Sequence, residues 1–156
     1  MTIPSFREQY ENQKIEKGVF LEDKKIALTG RINTIRTASA KLVFIDLTED
    51  NAKVQIFATQ ANYEADFDVL HKVCRRGDII GVEGYAGRTN TGELSIRPTK
   101  IVPLSYCLHQ LPNPQPGVDP FANSDTKYRQ RYMDLIVNSG VKKVFENRNK
   151  IIDFIR

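Results

Sequence analysis

The stretch Lys41–Ala58, KLVFIDLTEDNAKVQIFA, decides how this 156-residue chain is read. Two β-rich runs flank the polar turn Glu49-Asp50-Asn51, which is the pattern of a hairpin. Successive side chains of a strand point to opposite faces, so Val43, Ile45 and Leu47 share one face and Leu42, Phe44 and Asp46 the other. In the second run Val54, Ile56 and Ala58 continue the apolar face, with Lys53, Gln55 and Phe57 opposite. That parity strands the Phe44 ring among Asp46, Lys53 and Gln55. A ring beside an amide on a polar sheet face suits single-stranded nucleic acid, because the ring stacks a base while the amide hydrogen-bonds its edge. The alternative is a covering loop or second domain that makes Phe44 ordinary core, and the hairpin by itself does not choose between the two.

Upstream of the hairpin, Lys24–Ile35 is predicted to be a strand, with Ile26, Leu28, Gly30 and Ile32 inward and Ala27, Arg31 and Asn33 outward. A glycine in mid-strand predicts a bend or bulge. Thr34–Ala40, small and polar apart from Arg36, is predicted to be a loop. Near the start, Ser5-Phe6-Arg7-Glu8 fits a capping box, and Phe6 and Tyr10 fall one turn apart on a short helix expected to lean on the domain. Downstream, Tyr63, Phe67, Leu70 and Cys74 recur at helical spacing, and Arg75-Arg76-Gly77 ends a helix predicted over 62–76. Strands follow at Asp78–Tyr85, with Ile80 and Val82 inward, and at Glu93–Val102, with Leu94 and Ile96 inward and Glu93, Ser95 and Arg97 outward; the turn Gly87–Gly92 joins them.

Strand, hairpin, helix and two strands is the element order of an OB-fold, a five-stranded barrel that binds oligonucleotides on its strand 2–3 face. The expected class is therefore mainly β: this barrel with a helix between strands 3 and 4, an N-terminal helix, and C-terminal helical segments. Residues 1–23 are read as N-terminal helix and lead-in, 24–110 as barrel, and 111–127 as a proline-rich linker. Residues 128–156 are read as the start of a truncated second domain. Its helices are expected at Tyr128–Ile136 and at Val141–Arg156, the latter behind Asn138-Ser139 with an apolar stripe through Val144, Ile151, Ile152 and Ile155.

Composition narrows the function classes. No apolar run approaches the roughly 18 residues of a membrane span, so no membrane association is expected. Cys74 and Cys107 lie far apart without CxxC spacing, and His71 and His109 are isolated, so neither a metal site nor a secreted disulfide framework is expected. No phosphate-cradling loop, HExxH or GxSxG occurs, and no catalytic residue is assigned within the chain. The net charge of +4 arises at the end: residues 1–127 carry 16 Lys and Arg against 16 Asp and Glu, while 128–156 carry 7 against 3. Nucleic-acid binding by the barrel must then rest on local placement of Arg31, Arg36, Lys41 and Lys53.

Four patches carry a resemblance: TGRI at Thr29–Ile32, KLVFIDL with KVQIF at Lys41–Phe57, RRGDIIGVEG with TGELSI at Arg75–Ile96, and KYRQRYMDLIVN at Lys127–Asn138. Together they resemble the N-terminal part of class II lysyl-tRNA synthetases. Related aspartyl and asparaginyl enzymes share an RYLDL-like core but usually lack the preceding YRQ. The resemblance implies an anticodon-binding domain followed by the entry to a catalytic domain whose ATP-, magnesium- and lysine-binding residues lie beyond Arg156. It implies a cytoplasmic enzyme that joins lysine to tRNA, dimeric at full length, and no cofactor in the present chain. Carried over by position, Phe44 would stack on the central anticodon uridine, Gln55 and Arg36 would hydrogen-bond base or phosphate, and Glu93 would contact an anticodon base. Arg31 would meet a phosphate or a neighbouring carboxylate. Two departures are Met133 for the commoner leucine, a volume-conserving change, and a short N-terminal extension. A free-standing single-strand-binding OB protein is the alternative from another class, and the unpartnered stripe of the last helix argues against it.

Overall fold

The hairpin forms as its alternation requires. In the computed structural model, which describes residues 1–64, 67, 74–112, 121 and 124–156, β2 (Leu42–Glu49) pairs antiparallel with β3 (Ala52–Thr59) without a register slip. Asp50 and Asn51 take φ of 45° and 65°, the both-positive pair of a two-residue type I′ turn whose twist matches that of the strands. Val43, Ile45, Leu47, Val54, Ile56 and Ala58 are all buried. With β1 (Phe20–Ser39), β4 (Ile79–Arg88) and β5 (Leu94–Ser105) the hairpin closes into a barrel of order β1-β2-β3-β5-β4, in which β4 returns to β1. The other strand pairs are antiparallel, whereas β3 and β5 run parallel, Gln55 beside Ser95 and Ile56 beside Ile96. Ile26, Leu28, Ile32, Ile80, Val82 and Ile96 complete the interior, each large aliphatic side chain contributing about 1.5–3 kcal/mol on burial.

β1 departs from expectation twice. The loop predicted over Thr34–Ala40 is strand almost to its end, with Thr34 beside Asp46, Ile35 beside Ile45, Arg36 beside Phe44 and Thr37 beside Val43. Branching at Thr34, Ile35 and Thr37 favours extended backbone, and polar side chains are tolerated where they face outward. Nor does Gly30 bulge: it pairs regularly with Ile80, and the register slips instead at Asn33 and Ala38 against β2 and between Phe20 and Lys25 against β4. The glycine permits close approach, since a Cβ there would lie 2.9 Å from Ile3 Cδ1 and 3.1 Å from Leu47 Cβ.

That isoleucine belongs to α1 (Ile3–Tyr10), which packs against β1, β2 and β3. Its cap is Thr2, whose hydroxyl accepts from Ser5 N at 3.3 Å, and not Ser5 as the capping box suggested. Pro4 explains the shift, for it fits the first helical turn, where its missing N–H is not needed. The Glu49 carboxylate accepts from Ile3 N at 2.7 Å, a negative charge at the positive end of the helix. Ile3, Phe6 and Tyr10 are buried, the two rings 5.0 Å apart, so the helix leans on the barrel as expected.

The helix predicted over 62–76 lies mostly outside the described residues. At its ends Gln60–Asn62 makes a 3-10 turn, Phe67 and Cys74 are buried, and Gly77 takes φ 95°. Burial, reinforced by the nearby Asp78, pushes the Cys74 thiol up to about 11, so it stays protonated at neutral pH. Asp78, itself buried, accepts from the backbone N–H groups of Arg75 at 2.8 Å and Cys107 at 2.7 Å, tying the entry of β4 to the chain beyond β5.

The chain divides into two compact units, Met1–Gln110 and Leu111–Arg156. Most residues of the expected proline-rich linker, 113–120 and 122–123, lie outside the described residues. In the second unit the helix expected at Tyr128–Ile136 is interrupted at Gln130, giving α2 (Ser124–Arg129) and α3 (Arg131–Val137), followed by α4 (Ser139–Ile155). Asp134 is fully buried and accepts from Arg131 at 2.9 Å and from the Asn138 amide at 2.7 Å. Asn138 therefore spends its side chain on α3 and does not cap α4. Val144, Ile151, Ile152 and Ile155 of α4 are exposed. No helix among the described residues is long and apolar enough to cross a membrane.

Gly30→Ala should lower stability by about 1–3 kcal/mol in urea unfolding, because the new methyl overpacks the α1 contact. Ile3→Val removes the atom it would meet, so the double variant should be less destabilised than the sum of the two single changes.

Candidate nucleic-acid interface

The slip at Asn33 sets the outer face. Ile32 points into the barrel, and the extra residue reverses parity, so Thr34 and Arg36 stand outside next to Asp46 and Phe44. The Phe44 ring is half-buried, and the Arg36 guanidinium lies over it at 5.8 Å from the centroid, within cation–π range. Asp46, only 6% exposed, accepts from the Thr34 hydroxyl at 2.6 Å and pairs with Lys53 at 3.0 Å. Its Oδ1 accepts no hydrogen bond and sits 3.9 Å from an Arg36 nitrogen. One carboxylate thus gathers two cations beside Phe44.

Gln55 has the expected outward parity, yet it is 4% exposed, and Ser95, also expected outward, is completely buried. Parallel β5 lies alongside β3 and covers both. The Gln55 Nε2 donates to Glu93 at 2.9 Å, and its Oε1 accepts from the Ser95 hydroxyl at 3.0 Å. A carboxylate can only accept, so this partner dictates which end of the amide faces Glu93. Glu93 is exposed just before β5, in a turn closed by Thr89 N to Glu93 O at 3.0 Å, with Gly92 at φ 90°.

Arg36, Phe44, Lys53, Gln55 and Glu93 accordingly fall on adjoining strands and at the entrance of β5. Phe44 and Gln55 are diagonal neighbours across β2 and β3, a relation that spaces Cα atoms by roughly 7–8 Å. Lys41 is exposed in the tight turn between β1 and β2. Arg31 donates to the Gly77 carbonyl at 2.8 Å.

Phe44 is also less solitary than the hairpin suggested. Phe57 meets it at 5.4 Å and stacks on Phe20 at 5.9 Å with 10° between the planes; Arg97 then lies over both Phe20 and Tyr85. Phe57 shared the parity of Phe44 in the sequence. Phe20 had no local signal, because it precedes the predicted strand and meets Phe57 only after closure. Its ring lies on Gly87, where a Cβ would come within 2.4 Å of it. Among the described residues no three His, Cys, Asp or Glu side chains gather to hold a metal.

A closed five-stranded barrel of this strand order is an OB-fold. The chain belongs to the family of OB-fold nucleic acid binding domains, whose model matches residues 26–104. Along nearly its whole length it is similar to lysine-tRNA ligases. That named cla4 from Cladosporium cladosporioides is 40% identical over 159 residues, covering 99% of this chain and 26% of the fungal protein. The ligase of Thermoanaerobacter sp. is 41% identical over 141 residues, 86% of this chain and 26% of its own length. That of Mycoplasma mycoides is 35% identical over 158 residues, 97% of this chain and 30% of its own length. The chain thus spans less than a third of the curated relatives it matches.

Ser95→Ala should cost about 1–3 kcal/mol, since it leaves the buried Gln55 carbonyl without its donor. Chemical denaturation measures the loss, and a neutral outcome would show that the Ser95 hydroxyl does not hold the amide.

Proposed function

We propose that this chain is the anticodon-reading part of a lysine-tRNA ligase, and that the parent enzyme joins lysine to its tRNA with ATP and magnesium, as a cytoplasmic homodimer. The single observation that carries the reading is the group formed by Phe44, Arg36, Gln55 and Glu93 on the outer face of an OB barrel. The lysine-tRNA ligase names of its relatives add the amino acid and the tRNA.

A base that stacks on Phe44 takes the place of the Arg36 guanidinium, which swings to the adjoining phosphate. Such a stack contributes about 1–3 kcal/mol per base. Gln55 retains one N–H and one carbonyl lone pair beyond those given to Glu93 and Ser95, enough to meet the donor and acceptor of a uridine edge. Cytidine lacks the N3–H and presents an amine where uridine presents an oxygen, so one polar group goes unpaired. Lysine activation belongs to the parent enzyme, and the residues of this chain position tRNA.

Phe44→Ala should weaken binding of an anticodon stem-loop by about 1–3 kcal/mol while the fold stays intact, and exchanging the central uridine for cytidine should cost the unmodified chain about tenfold. Titration of both stem-loops checks this; equal binding of the two would remove the edge-reading role.

The 156-residue chain by itself should give no lysine-dependent pyrophosphate exchange, whereas the full-length parent should. Exchange by the purified chain would place the activation chemistry inside it and overturn the assignment.

A further inference from the structure

The two carboxylate oxygens of Asp46 are treated differently by the fold. Oδ2 accepts from the Thr34 hydroxyl at 2.6 Å and pairs with Lys53 at 3.0 Å. Oδ1 is shielded from water and accepts no hydrogen bond, and among the described residues no other buried side-chain oxygen or nitrogen lacks a partner. A desolvated carboxylate oxygen without a donor is destabilising, and native folds rarely retain one. Its presence on the outer face points to a donor that the chain does not itself supply.

The position of Asp46 narrows what that donor is. It stands two residues from Phe44 on the same face of β2, a separation of roughly 7 Å, and directly opposite Gln55 of β3. The Arg36 guanidinium that lies over the Phe44 ring also comes to 3.9 Å from Oδ1, too far for a hydrogen bond. A base that displaces this guanidinium from Phe44 therefore takes it away from Oδ1 as well. A uridine within a strand carries two donors, the base N3–H and the ribose 2′-hydroxyl. The first finds the spare lone pair of the Gln55 carbonyl. The second is left for a carboxylate, which can only accept.

We infer that Asp46 reads the sugar: its Oδ1 accepts from the 2′-hydroxyl of the nucleotide stacked on Phe44, so that this face selects RNA over DNA. The inference rests on the anticodon reading above and adds to it a group that meets the ribose and not the base. Thr34 and Lys53 are positioning residues, since they hold Oδ2 and leave Oδ1 for the ligand. A deoxyribose in the same place would lose a charge-assisted hydrogen bond and keep Oδ1 covered without a donor.

The test alters the ligand before it alters the protein. The whole 156-residue chain is titrated with anticodon stem-loops whose central nucleotide is uridine, 2′-deoxyuridine or 2′-fluoro-2′-deoxyuridine, every other sugar being ribose. Both modified loops should bind about tenfold more weakly, the effect of one charge-assisted hydrogen bond. Fluorine keeps the ribose pucker but cannot donate, so the fluoro loop separates the hydrogen bond from sugar conformation. Asp46→Asn, checked for folding by circular dichroism, should reduce the ribose-to-deoxyribose ratio to about threefold or less, because a neutral partner bonds roughly half as strongly. Equal binding of the uridine and fluoro loops by the unmodified chain overturns the inference, and so does a folded Asp46→Asn that keeps the full ratio. If Phe44→Ala still weakens binding in either case, the anticodon reading survives. If the unmodified chain fails to bind the all-ribose stem-loop, both fall together.

Discussion

In a closed barrel a side chain faces either inward or outward, and one extra residue reverses every assignment that follows it. The outer face depends on such a residue. From Ile26 to Ile32, β1 sends its even-numbered side chains into the core; after Asn33 it sends Ile35 toward the core and Thr34 and Arg36 outward. Without the slip Ile35 would lose its place beside Ile45, and Arg36 would aim its charge at an apolar interior, an arrangement that costs several kcal/mol. A single irregularity in β1 thus serves both the packing of the core and the chemistry of the surface.

The outer face is polar but sparingly hydrated, which is why its groups are so tightly organised. Asp46, Gln55 and Ser95 are all nearly or fully buried, and each finds partners on a neighbouring strand. The Asp46 oxygen without a hydrogen bond is the exception. Its desolvation, on the order of 1–3 kcal/mol, is offset only in part by Arg36 and Lys53, because both cations are largely in water, where charge pairing is weak.

Legibility followed sequence distance. The core face of the hairpin was plain because alternation is a local property, and Phe44 stood out for the same reason. The burial of Gln55 was not legible, since it results from β5 arriving 40 residues later in parallel alignment, a pairing that no short pattern announces. Phe20 was illegible on the same ground, for it meets Phe57 only when distant segments come together. The Thr34–Ala40 loop was a different error: polarity was read as irregularity, although three branched residues there favour a strand. The helix cap is Thr2 because Pro4 fits the first helical turn, although Ser5 and Glu8 are the more conspicuous pair in the sequence.

The parallel contact between β3 and β5 joins only Gln55 to Ser95 and Ile56 to Ile96, the shortest ladder in the barrel. A cylinder of hydrogen-bonded strands opens first along its shortest seam, and this seam runs through Gln55, whose amide donates to Glu93. Local breathing of the barrel and looseness of the site are then one motion. A nucleic acid held across β3 and β5 would act as a clasp on that seam.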